Sequence, residues 1–201
     1  MNNPRPKVRL SRALGIPLTP KSVKYFEARP YPPGVHGRGR KRDSDYKVRL
    51  REKQRLRAQY NIREAQLRNA FDKAAKAEGK TGDALLTGLE SRLDALVLRA
   101  GFARTIYQAR QFVVHRHVLV NGRRVDRPSY RLRPGDVITI AERSRTMDAF
   151  QIAAAGGHAE NVPPYLDVRH DALAARLTRL PERGEIPVVC DEQLVVEHYS
   201  R

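Results

Sequence analysis

Apolar positions recur at helical spacing through the middle of the chain. Leu85, Leu86, Leu89, Leu93, Leu96 and Val97 make one stripe. The spacing predicts a continuous helix that begins after Gly79–Gly82 and ends near Gly101, a residue suited to a left-handed helix end. Upstream, Leu67, Phe71, Ala74 and Ala75 mark a helix over 62–78. Before that, Asp43 or Ser44 can cap the segment DYKVRLREKQRLRAQY, a helix with Arg and Lys on most faces.

The stretch 102–140 carries the sharpest local signals. Thr105 and Gln108 have the spacing of a capping box, in which each side chain satisfies an orphan N–H at the helix start. Ile106, Ala109, Phe112 and Val113 give that helix an apolar face. Arg104, Gln108, Gln111 and His115 fall on another, with Arg110 beside it. Val118–Val120, Asn121-Gly122 and RRV then read as a β-hairpin, because Asn-Gly supplies the positive φ angles of a type I′ turn. After Pro134-Gly135-Asp136, VITI at 137–140 reads as a strand. A helix pair on a short antiparallel sheet follows from these elements. Residues 153–164 read as a surface loop or bulge, and the ending DEQLVVEHYSR fits a short helix or a strand by pattern alone.

The first 42 residues follow neither pattern. They contain Pro4, Pro6, Pro17, Pro20, Pro30, Pro32 and Pro33, with Gly34, Gly37 and Gly39. Proline removes donors and glycine costs backbone entropy, so the expectation is an extended arm that orders on its partner.

Charge changes the picture. Residues 1–60 hold 17 Lys/Arg against Glu27, Asp43, Asp45 and Glu52, so they carry +13 of the chain's +17. Such crowding weakens a compact state through self-repulsion, and a polyanion relieves it with counterion release. A second cluster places nine arginines and one acid, Asp126, between Arg99 and Arg133. The chain therefore reads as a nucleic-acid binder. No apolar run approaches a membrane span, Trp is absent, and no basic amphipathic helix has a Trp/Phe-rich opposite face, which excludes a membrane partner. The N-terminus lacks the apolar core of a signal peptide, and the single Cys190 fits a reducing cytosol.

Catalytic patterns are missing. Gly79-Lys80-Thr81 ends like a phosphate-binding loop, but Ala74 stands where its first glycine belongs. Gly37 and Gly39 begin a G-x-G that Arg42 breaks. The six histidines lack metal-ligand spacing, and Glu90 and Asp94, one turn apart, read as partners of neighbouring Arg and Lys. The expectation is a non-enzyme without metal or cofactor. Aromatic residues are 6% and form no close pair in a basic strand, so a single-strand stacking platform is excluded. Arginine-rich surfaces without aromatics suit folded RNA, read through phosphates, 2′-hydroxyls and junction shape.

Several segments carry a resemblance. Arg29-Pro-Tyr-Pro-Pro-Gly-Val-His36-Gly37, Ser44-Asp45-Tyr46 and Leu50-Arg51-Glu52-Lys53-Gln54 resemble the N-terminal half of the bacterial small-subunit ribosomal protein four family. Glu90-Ser-Arg-Leu-Asp94, Ala109-Arg110-Gln111 and Val120-Asn121-Gly122 resemble the small RNA-binding module named after it, and Glu192-Gln-Leu-Val-Val-Glu-His-Tyr-Ser resembles the family's C-terminus. The likeness covers nearly the whole chain. It implies an α+β protein: a mainly helical domain with an inserted α/β RNA-binding module, preceded by the extended basic arm. The expected layout is an arm at 1–42, a helical domain at 43–89 and 178–201, and the module at 90–177 with its core at 91–152. The C-terminal segment would return as a helix. Many relatives bind zinc through four N-terminal cysteines, which this chain lacks, so the resemblance is to the zinc-free form.

That resemblance implies a structural component of the cytoplasmic small ribosomal subunit. It would bind the 5′ domain of 16S ribosomal RNA at a multi-helix junction and nucleate assembly of the subunit body. It would contact small-subunit protein five at an interface that affects fidelity, and it would not form homo-oligomers. The candidate ribosomal RNA contacts are Arg5, Lys7, Arg9, Arg12, Lys47, Arg49, Arg51, Lys53, Arg55, Arg57, Arg104, Thr105, Gln108, Arg110, Gln111, His115, Asn121, Arg123, Arg124 and Arg131. Arg38, Arg40, Lys41 and Arg42 would line the path where messenger RNA enters. The competing expectations are an RNA-modifying enzyme and a stalled-ribosome factor that carry the same module.

Overall fold

Prolines open the first two helices. A computed structural model describes residues 6–39, 42–158 and 161–200. Pro6 precedes α1 (Lys7–Leu14), and Pro20 holds the first position of α2 (Pro20–Ala28). A proline there gives up an N–H that no helix bond uses, and its fixed φ suits the helix start. Gly15 then ends α1 with φ +70°, the left-handed ending for which glycine has no Cβ penalty. The extended arm expected over 1–42 is corrected on these grounds: residues 7–14 and 20–28 are helical. Residues 34–39 also fold back, with Gly37 N–H bonded to the Gly34 carbonyl and Gly39 N–H to that of His36.

Ser44 caps α3 (Asp45–Gln59), its Oγ accepting the Lys47 N–H at 3.3 Å. Next, α4 (Glu64–Ala74) is shorter than the 62–78 expected. The long leucine-striped helix is two helices, α5 (Thr81–Glu90) and α6 (Leu93–Arg99). At the break, Leu132 N–H donates to the Ser91 carbonyl at 2.9 Å and Leu93 N–H to the Tyr130 carbonyl at 2.8 Å. Arg92 and Arg131 pair there as an isolated antiparallel bridge. Backbone bonds to a distant segment interrupt the helix, although the apolar spacing runs straight through it.

Beyond Gly101 come α7 (Ile106–Val114), β1 (Val118–Val120), β2 (Arg123–Arg124) and β3 (Val137–Ile140). They are followed by α8 (Asp148–Ala154), β4 (Leu166–Arg169) and β5 (Ala174–Leu177). The sheet is antiparallel throughout, in the order β2-β1-β3-β5-β4. The expected helix pair on a small antiparallel sheet is present, and β4 and β5 widen it. The loop expected over 153–164 starts later, because Ala153 is buried in the last turn of α8.

Alternation builds the core of this part. Val118 and Val120, Ile138 and Ile140, and Ala175 and Leu177 point inward from three neighbouring strands. They pack with Leu93, Leu96 and Val97 of α6 and Ala109, Phe112 and Val113 of α7. Each large side chain so buried contributes about 1.5–3 kcal/mol.

The C-terminal segment is a helix, α9 (Glu192–Tyr199), capped by Asp191 Oδ1, which accepts the Gln193 and Leu194 N–H groups. It packs on α3. Two compact units result among the described residues: those within 1–71 and 188–201, and those within 72–187. The division falls inside α4.

Candidate nucleic-acid interface

Within residues 72–187 the helix start of α7 is built as its sequence dictates. Thr105 Oγ1 accepts the Gln108 N–H at 3.2 Å. The returning Gln108 Oε1 accepts from Arg104 N–H at 2.8 Å, one residue earlier than a capping box requires. This leaves Arg104, Gln111 and His115 exposed along α7. The Asn121-Gly122 turn has φ values of 49° and 77°, both positive, as its hairpin type demands. It exposes Arg123 and Arg124 on β2.

Asn121 itself works inside the fold. Its Nδ2 donates to Asp136 Oδ1 at 2.8 Å, and its Oδ1 accepts the Val137 N–H at 2.9 Å. The hairpin turn is thereby clipped to the turn before β3. Arg110 is half-buried, with Nη1 3.5 Å from Asp94 Oδ2. Asp94 is fully buried and accepts from Arg92 Nε at 3.0 Å, Arg92 Nη2 at 2.9 Å and the Ala95 N–H at 3.1 Å. Burial pushes the Asp94 carboxyl above its ordinary pKa, and the charges and bonds of Arg92 and then Arg110 act against that. Arg131 is exposed, and its guanidinium lies over Gly88 of α5, where an added Cβ would sit 3.3 Å from Nη2.

Glu90, also fully buried, takes Arg99 Nε and the Tyr165 hydroxyl, the latter at 2.9 Å. Burial and the facing carboxylate raise the Tyr165 pKa, so it stays a donor. Glu90 and Asp94 are thus arginine partners, as their spacing suggested. Sequence reasoning missed Tyr165, which meets Glu90 only once the fold brings the two together; it also gave Arg92 no role of its own, although Asp94 lies only two residues on.

Within residues 1–71 and 188–201 the basic residues of α3 divide. Arg49 and Lys53 are buried, Arg49 Nη1 lying 3.7 Å from Glu197 and Lys53 Nζ 3.0 Å from Glu64. Arg57 reaches the same Glu64 at 3.3 Å. Arg55 pairs with Glu52 at 2.6 Å and donates from Nε to the Leu14 carbonyl at 2.7 Å, a cation on the C-terminal end of α1 where the helix dipole favours it. Arg51 and Lys47 both pair with Asp43, and Lys47 remains exposed. On α1, Arg9 is exposed, Lys7 is half-buried with its pKa lowered by burial, and Arg12 donates from Nε to the carbonyls of Arg29 and Tyr31. Arg38 and Arg42 are exposed, while Arg5, Arg40 and Lys41 lie outside the described residues.

Exposed basic side chains therefore stand in each unit, Arg9, Arg38 and Lys47 in one and Arg104, Arg123 and Arg124 in the other, while Arg49, Lys53, Arg92 and Arg110 are taken up by carboxylates. The exposed set can grip phosphates. Residues 2–90 match the family described as Ribosomal protein S4/S9 N-terminal domain, and residues 91–138 match the S4 domain. The chain is 66% identical over 202 residues to small ribosomal subunit protein uS4 of Streptomyces griseus, spanning 100% of this chain and 99% of that protein. The same protein of Streptomyces avermitilis is 65% identical with the same coverage. That of Paenarthrobacter aurescens is 65% identical over 204 residues, again covering 100% of this chain and 99% of the relative. With residues 2–138 matched by the two family models and the whole length aligned to these relatives, the chain belongs to the uS4 family of small ribosomal subunit proteins.

Proposed function

We propose that this protein binds the 5′ domain of 16S ribosomal RNA at a multi-helix junction and nucleates assembly of the subunit body. Family membership makes it a structural, non-enzymatic component of the small ribosomal subunit. The observation that carries the finer reading is the exposed set Arg104, Gln111, His115, Arg123 and Arg124, mounted on a capped helix and a tight hairpin. A rigid, arginine-rich, aromatic-poor surface suits phosphates and 2′-hydroxyls at a folded junction. The functional division belongs to the same proposal: an N-terminal segment at 1–42 that carries α1 and α2, a helical part at 43–89 with 178–201, and an RNA-binding module at 90–177.

Two further parts of the proposal follow from the family resemblance. Arg38 and Arg42, with Arg40 and Lys41 between them, line the path where messenger RNA enters. Contact with small-subunit protein five lets the protein influence decoding fidelity. The test is binding of the purified protein to a 5′-domain fragment against a folded control RNA of equal length. Preference for the fragment supports the proposal, and equal affinity overturns it.

A further inference from the structure

We propose that Tyr31 is a positioning residue that holds Arg38 ready for the phosphates of an RNA strand. The proposal rests on reading Arg38 as an RNA contact. The Arg38 guanidinium lies 4.9 Å from the centre of the Tyr31 ring, and its Nη2 donates to the Tyr31 hydroxyl at 3.2 Å. The Arg12 guanidinium also lies 4.9 Å from that ring centre. Its Nε donates to the carbonyls of Arg29 and Tyr31, each at 3.1 Å. Arg12 thus ties the Tyr31 backbone to α1, and the Tyr31 ring carries Arg38.

The loop around them is preformed. A Cβ at Gly37 would fall against the Pro32 carbonyl, so the chain closes there only with glycine. Val35 at the loop tip is 97% exposed, and Arg38 faces solvent. A guanidinium packed on an aromatic ring uses its face, which leaves edge N–H groups for phosphate oxygens. Holding the long side chain beforehand reduces the ordering entropy lost on binding. Arg12, a candidate RNA contact by sequence, acts here through Tyr31.

Small subunits reconstituted with Tyr31→Leu, Tyr31→Phe or Arg38→Ala would be assayed for affinity toward a messenger RNA long enough to fill the entry path. The free variants would be assayed for 5′-domain affinity, with circular dichroism to check folding. Tyr31→Leu is expected to weaken messenger binding about two- to fivefold, the Boltzmann equivalent of an exposed cation–π contact, and to match Arg38→Ala. Tyr31→Phe keeps the ring and most of the affinity. If that same order appears in 5′-domain affinity instead, Tyr31 still positions Arg38 and the strand is ribosomal RNA. Loss in Arg38→Ala with a normal Tyr31→Leu overturns the positioning role and leaves the RNA contact standing. Normal behaviour of Arg38→Ala in both assays overturns the RNA contact beneath it.

Discussion

Asp94, buried at the start of α6, holds Arg110 of α7 by a 3.5 Å ion pair. The same carboxylate takes two hydrogen bonds from Arg92. One acid therefore fixes the helix pair and sets a candidate RNA-contacting arginine. Asp94→Ala would leave two guanidinium groups facing each other without an acceptor, one of them on the buried Arg92. Breaking a buried pair this way costs about 3–5 kcal/mol. Urea unfolding is expected to shift to a markedly lower midpoint, and an unchanged midpoint would show that the pair holds nothing.

The exposed arginines behave differently. Arg124 stands on β2 with its side chain in solvent, so Arg124→Ala is expected to change stability by no more than about 0.5 kcal/mol. Its effect should fall on RNA, with weaker binding and a salt slope reduced by about 1. Equal affinity and slope in the folded variant would remove Arg124 from the interface.

Glu64 gives a pH signature. Burial pushes its pKa up, but the Tyr199 hydroxyl and the bonds and charges of Lys53 and Arg57 together hold it below the ordinary glutamate value of 4.5. A carboxylate depressed in the folded state stabilises above its unfolded pKa, and that contribution disappears as pH falls through the folded value. Glu64 is 44% exposed, so solvent screening keeps its contribution below about 1 kcal/mol, and Glu64→Gln should melt lower than the parent at pH 7 by at most about 2–4 °C. The gap should narrow as pH falls below the ordinary glutamate value and close once it passes the depressed folded one. A gap of constant size across pH would assign it to packing.

Gly37 tests the loop without touching the cores. Gly37→Ala places a methyl group against the Pro32 carbonyl, so residues 29–39 should open to proteolysis while the thermal melt stays within about 1 °C, because loops open locally at little global cost. Protease resistance equal to the parent would mean that the turn tolerates a side chain.

Much of this was legible in the sequence wherever a short-range signal decides the outcome. Thr105 caps α7 and Asn121-Gly122 makes the hairpin, because both depend on residues within four positions. The break between α5 and α6 was not legible, since Leu89 and Leu93 keep helical spacing across it while the bonds from Leu132 N–H and to the Tyr130 carbonyl come from far away. Proline content hid α1 and α2: Pro6 and Pro20 count as breakers in a composition and as starters in their actual positions. Charge counting placed a nucleic-acid clamp in the first third. It did not anticipate that Arg49 and Lys53 are met by Glu197 and Glu64, acids outside the segment being counted.

We propose that the exposed basic residues recognise a folded ribosomal junction rather than negative charge in general. The direct measurement is affinity for a 5′-domain fragment of small-subunit ribosomal RNA and for an unrelated folded RNA of equal length, followed across rising salt. Shape-specific contacts survive where counterion release no longer drives binding, so the fragment complex should persist at salt that strips the control. If both affinities fall together on one steep slope, the surface is a polyanion binder and the junction assignment is contradicted.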